Sequence, residues 1–228
     1  MVERALPDLE GPRVAAASGH ARQLVVFVHG YGADGNDLID IGRLWQNLLP
    51  DAAFVSPHAP DPCAEAPIGR QWFGLTRRDP NERWLGVNAA APTLDRFIDT
   101  ELERLSILPS QLALVGFSQG TMMALHVGLR RAIAPAAIVG YSGLLAAPDT
   151  TDIAAMASEV RSRPPVLLIH GADDPVIPAR ALEMSAMGLK VLGLDVRTHL
   201  SPDLGHGIDQ DGLRLGGEFL AQAFRAAG

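Results

Sequence analysis

The amino-acid sequence predicts an α/β fold, a mostly parallel, doubly wound sheet with helices on both faces. Short segments that are apolar at every position alternate with longer segments of helical periodicity. Strands that are apolar throughout are typical of a parallel sheet, because such a sheet is covered on both faces. One of these strands, residues 112–115, also leads into a Gly-x-Ser-x-Gly segment and then a helical pattern. Ligands bind at the carboxyl ends of the strands in such sheets, so we expect the functional residues there.

The predicted elements follow one another in a regular order of strand and helix. Apolar strands are predicted at 24–28, 52–55, 112–115, 136–139 and 166–169, a weaker strand at 194–198, and an edge strand near 13–17. Helices are predicted at 38–49, 90–105, 121–131, 151–161, 178–192 and from 210 to the C-terminus. A long irregular stretch at about 58–85 is predicted to form a pocket wall or a partial lid. Since the length suits one domain and no repeat interrupts the pattern, we expect a single domain over residues 1–228.

Composition and charge argue against several classes of partner. The chain has a net charge of −7 and a pI near 5.4, which disfavours nucleic acid and anionic membrane surfaces. No apolar run approaches the ~20 residues of a membrane-spanning helix, so we expect no stable membrane insertion. The N-terminal residues lack the apolar segment of a secretory signal, and the single cysteine excludes an internal disulfide. We therefore expect a cytoplasmic protein.

Ser118 is the candidate nucleophile, because it lies at the centre of Gly116-Phe117-Ser118-Gln119-Gly120, between a strand and a helix. A sharp turn of this type lifts a serine hydroxyl off the sheet and exposes it to a neighbouring base. We expect Gly116 and Gly120 at positions where a Cβ would clash with the crowded turn. The helix that follows directs its first N–H groups toward a developing anion. The alternative is a tight turn with an incidental serine.

The glycine-rich loop at residues 29–35 allows two interpretations. Its literal G-x-G-x-x-G pattern favours a dinucleotide-binding fold. That fold also needs an acid after the second strand and a helix that begins within the glycines, and the sequence predicts neither. The other interpretation is an oxyanion hole, in which the backbone N–H groups of Tyr31 and Gln119 bind the negative oxygen of a tetrahedral intermediate. His29 is then expected to hold the loop by a hydrogen bond.

Two later strand ends supply an acid and a histidine. Asp173 and Asp174 follow the strand at 166–169, and either carboxylate is placed to orient a histidine. His206 lies between two glycines on the loop before the last helix, where packing gives no reason for a histidine. The order serine, acid, histidine is the one that accompanies a Gly-x-Ser-x-Gly turn. Structural positions are predicted for His20, His126 and His199.

The irregular stretch at 58–85 contains Trp72, Phe73 and the only cysteine, Cys63. Aromatic side chains on such a loop either line a pocket or cover the core, and the residues alone favour neither. Cys63 is predicted to be an idle thiol, because no neighbour in sequence would activate it as a nucleophile.

Together these motifs resemble the phospholipase/carboxylesterase family of α/β-hydrolases, which includes acyl-protein thioesterases and small bacterial carboxylesterases. The resemblance extends from about residue 24 to residue 224. It rests on His29-Gly30-Tyr31-Gly32, Gln71-Trp72-Phe73, Gly116-Phe117-Ser118-Gln119-Gly120, His170-Gly171-x-x-Asp174-x-x-Ile177-Pro178 and Gly205-His206. It implies the α/β-hydrolase fold and selects Asp174 as the acid. It also implies that Trp72 and Phe73 lie beside the acyl pocket, so that with Tyr31 they are the predicted substrate-binding residues.

These residues predict a serine carboxylesterase that hydrolyses short- to medium-chain esters through an acyl-enzyme intermediate. The predicted catalytic residues are Ser118, Asp174 and His206, and the chemistry requires no metal and no organic cofactor. An acyl-protein thioesterase or a lysophospholipase would use the same residues. An inactive acyl-binding scaffold and a dinucleotide-binding protein are alternatives of other classes. The expected partner is a small acyl ester or thioester, and apolar surface near the lid would support a homodimer.

Overall fold

A computed structural model describes residues 6–148 and 153–227. In chain order its strands are β1 (Arg13–Val14), β2 (Gln23–Val28), β3 (Ala52–Val55), β4 (Asp61–Pro62), β5 (Arg70–Gln71), β6 (Leu112–Phe117), β7 (Ala137–Tyr141), β8 (Val166–Gly171) and β9 (Val196–Ser201). The helices are α1 (Ile39–Trp45), α2 (Pro80–Leu105), α3 (Gln119–Arg130), α4 (Arg180–Val191) and α5 (Gln210–Ala227), with 3-10 helices at Pro109–Gln111 and Ile153–Glu159.

The main sheet has seven strands in the order β1-β3-β2-β6-β7-β8-β9. The edge strand β1 pairs with β3 in the antiparallel direction, and the other neighbours pair in parallel. Val28 at the end of β2 lies opposite Gly116 of β6, so the loops that follow these two strands leave the sheet side by side. The predicted mostly parallel α/β architecture is confirmed.

The two faces of the sheet are covered by different helices. The side chains of Leu24, Val26 and Val28 belong to a core with α2, α3 and α4, whereas those of Val25 and Phe27 belong to a core with α1 and α5. Successive side chains of a strand point to opposite faces, which explains why this strand is apolar at every position.

Three helix predictions were wrong in their bounds, and one of them is the helix predicted at 38–49, which ends at Trp45. The predicted start of α2 near residue 90 is ten residues late, because α2 begins at Pro80. The start has its own sequence signal: Asp79 accepts a hydrogen bond from the Glu82 N–H at 2.8 Å, and a proline at the first position suits a helix N-terminus. The irregular stretch therefore ends at residue 79 instead of 85, and it includes the β4–β5 hairpin.

The helix predicted at 151–161 is a 3-10 helix at Ile153–Glu159, and residues 151–152 lie outside the described residues. The N–H groups of Arg161 and Ser162 donate to the carbonyl oxygen of Leu129, at 2.8 and 3.2 Å. These two bonds tie the chain to the end of α3 and stop the helix short of Arg161.

Candidate active site

Ser118 lies in the turn between β6 and α3 in a strained backbone conformation, with φ of 53° and ψ of −114°. A Cβ on Gly120 would lie 1.7 Å from the carbonyl oxygen of Val28, and one on Gly116 would lie 2.4 Å from the carbonyl oxygen of Gly120. The turn therefore requires both glycines, as predicted. The Ser118 N–H donates to the carbonyl oxygen of Tyr141 at 2.9 Å, which fixes the turn to the neighbouring strand.

The loop after β2 lies directly against Ser118. A Cβ placed on Gly30 would be 3.3 Å from the Cβ of Ser118. The Gly32 N–H donates to the carbonyl oxygen of Arg70 at 2.9 Å, and the Arg70 N–H donates to the carbonyl oxygen of Ala33 at 2.7 Å. The loop is thus fixed to the β4–β5 hairpin. Because α1 begins only at Ile39, no helix N-terminus lies within the glycines, and the geometry lacks this feature of a dinucleotide site.

His29 holds this loop from inside the protein. Its Nδ1 donates to the carbonyl oxygen of Gly30 at 2.8 Å, and its Nε2 accepts from the Ala59 N–H at 3.0 Å. Donating from one nitrogen while accepting at the other requires the neutral ring. The side chain is fully buried, and burial lowers the pKa of His29 to about 4. The predicted structural role of His29 agrees with these contacts.

Gln119 connects the serine turn to the segment after β5. Its side-chain Oε1 accepts from the Trp72 N–H at 3.0 Å, and its Nε2 donates to the carbonyl oxygen of Phe73 at 2.8 Å. As the first residue of α3, Gln119 also has a backbone N–H without an intrahelical acceptor. The side-chain clamp therefore fixes the residue whose N–H was predicted to bind the oxyanion.

The structure places Trp72 and Phe73 in the core, 2% and 6% exposed. The Trp72 indole N–H donates to the carbonyl oxygen of His29 at 3.0 Å, so the ring holds the loop after β2. Their assignment as substrate-binding residues stays a prediction, and their contacts favour a supporting role. Tyr31 is partly exposed, and burial together with a hydrogen bond to Cys63 raises its pKa to about 12.

An acid and a histidine meet at the ends of β8 and β9. The Nδ1 of His206 lies 2.7 Å from Oδ2 of Asp174, while Asp173 is exposed beside the pair. The other oxygen of Asp174 accepts from the N–H groups of Val176 and Ile177, at 2.8 and 2.9 Å. Burial raises the pKa of Asp174, but these hydrogen bonds outweigh burial and leave the pKa below its usual value. Asp174 is therefore ionised at neutral pH.

A second histidine, His170 at the end of β8, contacts the same acid. Its Nε2 lies 2.8 Å from the carbonyl oxygen of Ile177 and 3.2 Å from Oδ2 of Asp174. A carbonyl oxygen only accepts, so Nε2 carries the proton and directs it to both oxygens. Sequence reasoning assigned His170 no role, although its position four residues before Asp174 is a usable signal.

The loop that carries His206 is held on both sides. The hydroxyl of Ser142, the first residue after β7, donates to the carbonyl oxygen of Gly207 at 2.9 Å. The ring of Phe117 lies 5.0 Å from the His206 ring, centre to centre. Phe117 immediately precedes Ser118, so the histidine is adjacent to the serine turn. No sequence motif pointed to Ser142.

A groove of about 690 Å³, here called the α4 groove, opens next to the acid. Its walls are the first turn of α2, residues 144–148 after β7, residues 176–178 after Asp174, and one face of α4. Met184, Met187 and Val191 of α4 are more than half exposed along it. Sequence reasoning predicted a pocket wall or partial lid at 58–85, and Pro80 and Arg83 of that stretch line this groove, but it did not predict the walls formed by α4 and residues 144–148. The available signal was that α4 is apolar on its exposed face as well as on its buried face.

The remaining candidates lie away from this arrangement. His126 is buried in α3 with its ring 5.5 Å from Trp84, and burial lowers its pKa to about 3. His199 lies in β9, and Cys63 is buried.

Among the residues that the structure describes, no group of three or more His, Cys, Asp or Glu side chains is arranged to hold a metal ion. In the same residues no helix is long and apolar enough to cross a membrane.

Known proteins resemble this chain over most of its length. A family model described as Phospholipase/Carboxylesterase matches residues 9–223. Esterase YpfH of Escherichia coli (strain K12) is 30% identical over 196 residues, which cover 86% of this chain and 80% of that protein. Acyl-protein thioesterase 1 of Gibberella zeae is 28% identical over 207 residues, which cover 86% of this chain and 88% of that protein.

Solved structures give the same result. The crystal structure of esterase PE8 has a TM-score of 0.89 and 42% sequence identity, and the match covers 95% of this chain and all 100% of that one. The crystal structure of SOBER1 of Arabidopsis thaliana has a TM-score of 0.78 and 22% sequence identity, and the match covers 89% of this chain and 99% of that one. At this identity the likeness supports the fold alone. Because the family model spans residues 9–223, the chain belongs to the phospholipase/carboxylesterase family and is a serine hydrolase with the α/β-hydrolase fold.

Proposed function

We propose that Ser118, His206 and Asp174 hydrolyse carboxylic esters through an acyl-enzyme intermediate. The observation that carries the proposal is the 2.7 Å contact between Nδ1 of His206 and Oδ2 of Asp174. The loop that carries His206 is adjacent to Ser118, which lies in a strained turn. The exposed position of Asp173, against the buried position of Asp174, supports Asp174 as the orienting acid.

The acid fixes which nitrogen of His206 acts as the base. Since Asp174 is ionised, it accepts a hydrogen bond from the Nδ1–H of His206, and in the neutral ring Nε2 keeps its lone pair. Nε2 takes the proton of Ser118 as the serine oxygen attacks the ester carbonyl. The charged imidazolium is then stabilised by the carboxylate. The N–H groups of Tyr31 and Gln119 bind the oxyanion.

Collapse of the tetrahedral intermediate re-forms the carbonyl and breaks the bond between its carbon and the oxygen of the leaving alcohol, to which His206 returns the proton. A water molecule then attacks the acyl-enzyme, with His206 as base, and releases the acid. Thioesters follow the same steps with a thiol as leaving group. Relatives named as an esterase and as acyl-protein thioesterases support both substrate classes. We favour esters of short- to medium-chain acids, since the α4 groove is apolar and partly open.

The test is hydrolysis of p-nitrophenyl esters from acetate to palmitate by the wild type and by Ser118→Ala. We expect the wild type to release nitrophenol with an optimum at short or medium chain length. The variant should keep its circular dichroism spectrum and lose nearly all turnover, on the order of 10³-fold or more. Equal rates for the two proteins would refute Ser118 as the nucleophile.

A serine-directed phosphonate separates this enzyme from an inactive acyl-binding scaffold. We expect a covalent adduct on the wild type, localised to Ser118 by peptide mass spectrometry, and none on Ser118→Ala. A wild type that binds fatty acid but forms no adduct would favour the scaffold. Tight binding of a nicotinamide dinucleotide without labelling would favour the dinucleotide alternative.

A further inference from the structure

A second histidine contacts the acid of the proposed catalytic residues and takes no part in the steps derived above. His170 lies near the end of β8, and its side chain is 1% exposed. Its Nε2 lies 3.2 Å from Oδ2 of Asp174, whose side chain is fully buried. Because little water screens two buried groups, a polar contact of this kind changes the energy of the carboxylate.

The proton on Nε2 of His170 is fixed by a second contact. This nitrogen lies 2.8 Å from the carbonyl oxygen of Ile177, which only accepts hydrogen bonds. The N–H therefore donates to Ile177, and its positive end also faces Oδ2 of Asp174. The hydrogen bond to Ile177 holds the ring in place, so its distance from Asp174 does not depend on the longer contact alone.

The two oxygens of Asp174 are held in different ways. Oδ1 accepts from the N–H groups of Val176 and Ile177, at 2.8 and 2.9 Å, so the backbone of the following turn fixes that oxygen. Oδ2 lies 2.7 Å from Nδ1 of His206 and 3.2 Å from Nε2 of His170. Two imidazole rings therefore share one carboxylate oxygen, and the ring of His206 is the one beside the serine turn.

Sharing this oxygen weakens what Asp174 does for His206. When Nε2 of His206 takes the serine proton, the negative carboxylate stabilises the charged ring. A second N–H that faces the same oxygen offsets part of its negative charge. The backbone bonds to Oδ1 keep the carboxylate oriented with or without that N–H, so the effect of His170 is mainly electrostatic.

Several other ionisable side chains lie on the segments that meet at this edge of the sheet. They are Tyr141 of β7, Asp173 after β8, Arg180 at the start of α4, and Asp203 and Asp209 in the His206 loop. In the part of the chain that the structure describes, Asp174 is the only acid within 4.0 Å of a ring nitrogen of His206. Within the same residues, the two histidines are the only basic side chains at that distance from Asp174.

We propose that His170 is a positioning residue that shares Oδ2 of Asp174 with His206 and thereby weakens the hold of the carboxylate on the charged His206 ring. His206 then loses its second proton, and can act as a base, in more acidic solution than Asp174 alone would allow. The inference rests on the proposed function and adds a residue that acts through the acid.

Two variants of similar side-chain length separate the N–H of His170 from the bulk of its ring. His170→Gln places an amide N–H near the position of Nε2, whereas His170→Met fills the space without a donor. His126→Met is the control, since it removes another buried histidine, whose ring contacts Trp84. The measurement is kcat/KM for p-nitrophenyl butyrate from pH 4.5 to pH 9, with nitrophenol detected at its isosbestic wavelength.

We expect the midpoint of the acid limb to lie about 0.5 pH unit higher in His170→Met than in the wild type, because Asp174 then holds the charged His206 ring more firmly. His170→Gln and His126→Met should keep the wild-type midpoint within about 0.2 unit, and all four proteins should reach the same plateau above pH 8 within about threefold.

A role in folding alone would lower the plateau of His170→Met and leave its midpoint in place. An unchanged or lower midpoint in His170→Met therefore overturns the inference and leaves the proposed function intact. A midpoint that rises as far in His170→Gln as in His170→Met also overturns it, because the N–H would then not be the group that acts.

Urea unfolding shows whether each variant is folded. If His170→Met is not, His170→Asn replaces it, because its amide is one methylene too short to reach the position of Nε2, and the same rise is expected. A wild type that hydrolyses no ester at any pH overturns the proposed function. The inference is then decided by the NMR titration of the His206 ring, identified by its absence in His206→Gln, whose midpoint should again rise in His170→Met; a midpoint equal to that of the wild type overturns it.

Discussion

The proposed catalytic residues and the α4 groove lie next to each other but are built differently. Around Ser118, His206 and Asp174, buried polar groups are held by hydrogen bonds from other buried groups, as in the Gln119 clamp and the two histidines on Asp174. Along α4 the surface is made of exposed methionine and valine side chains, with Arg83 and Arg180 also lining the groove. We therefore expect the proposed chemistry to depend on fixed geometry and substrate preference to depend on an adaptable apolar surface.

The largest effect is expected from the acid. Asp174→Asn replaces an acceptor-only carboxylate with an amide, so the Nδ1 proton of His206 loses its ionised partner. We expect kcat for a p-nitrophenyl ester to fall by about 10³-fold or more. Asp173→Asn removes an equal charge one residue away and should change kcat less than about threefold. The reverse order of the two variants would transfer the acid role to Asp173.

The next effect concerns the Gln119 clamp. Gln119→Met keeps the length of the side chain but leaves the buried Trp72 N–H and the Phe73 carbonyl without their partner. We expect a loss of about 3 kcal/mol in the free energy of unfolding, measured with urea, and a lower kcat. Gln222→Met, at an exposed position of α5, is the control and should stay within about 0.5 kcal/mol. If the two variants were equally stable, the clamp would contribute nothing.

The same contrast explains which parts of the site could be predicted from the sequence. Ser118, Asp174 and His206 follow strands in short motifs, so their positions at one edge could be predicted from the order of strands and turns. The fixed partners of these residues, such as Ser142 and the Gln119 side chain, could not, because each bond joins residues distant in sequence. Trp72 and Gln119 are 47 positions apart, so no local sequence pattern indicates their contact.

The α4 face of the groove was missed by the sequence prediction for a different reason. Helical periodicity identifies one buried face of α4, with Leu182, Ala186 and Leu189. The second apolar stripe on the same helix has no partner within the described residues, so a rule that assigns apolar residues to the core misplaces it. The early start of α2 places Arg83 on a helix instead of in the irregular stretch that was predicted to form a pocket wall.

In the hydrogen-bonded region around Ser118, His29 is expected to make stability depend on pH. The folded protein keeps His29 neutral until the pH nears its pKa of about 4, whereas the unfolded chain binds a proton below about 6.5. The unfolded state therefore holds more protons between these values, and stability falls as the pH decreases from 6.5 toward 4. The contribution of His29 is on the order of 3 kcal/mol. Buried His126 acts in the same direction.

Urea unfolding at pH 7 and pH 4.5 measures this effect. His29→Gln does not titrate, so its loss of stability between the two pH values should be smaller than that of the wild type. His20→Gln, at an exposed position, should lose as much as the wild type. Identical losses in all three proteins would show that the neutral ring of His29 is not required by the fold.

The smallest effect is expected in the groove, where no single side chain is indispensable. Met187→Ser removes part of the exposed stripe on α4, and the helix keeps its buried face. A bound acyl chain would lose apolar contact worth about 1 kcal/mol, which corresponds to about fivefold in KM. The increase should appear for p-nitrophenyl decanoate and be absent for the acetate, whose chain is too short to reach Met187. Because the hydrogen-bonded residues are untouched, kcat should stay within about twofold for both esters. A change in kcat for the acetate would mean that the groove and the catalytic residues are coupled, and the contrast between the two regions would fail.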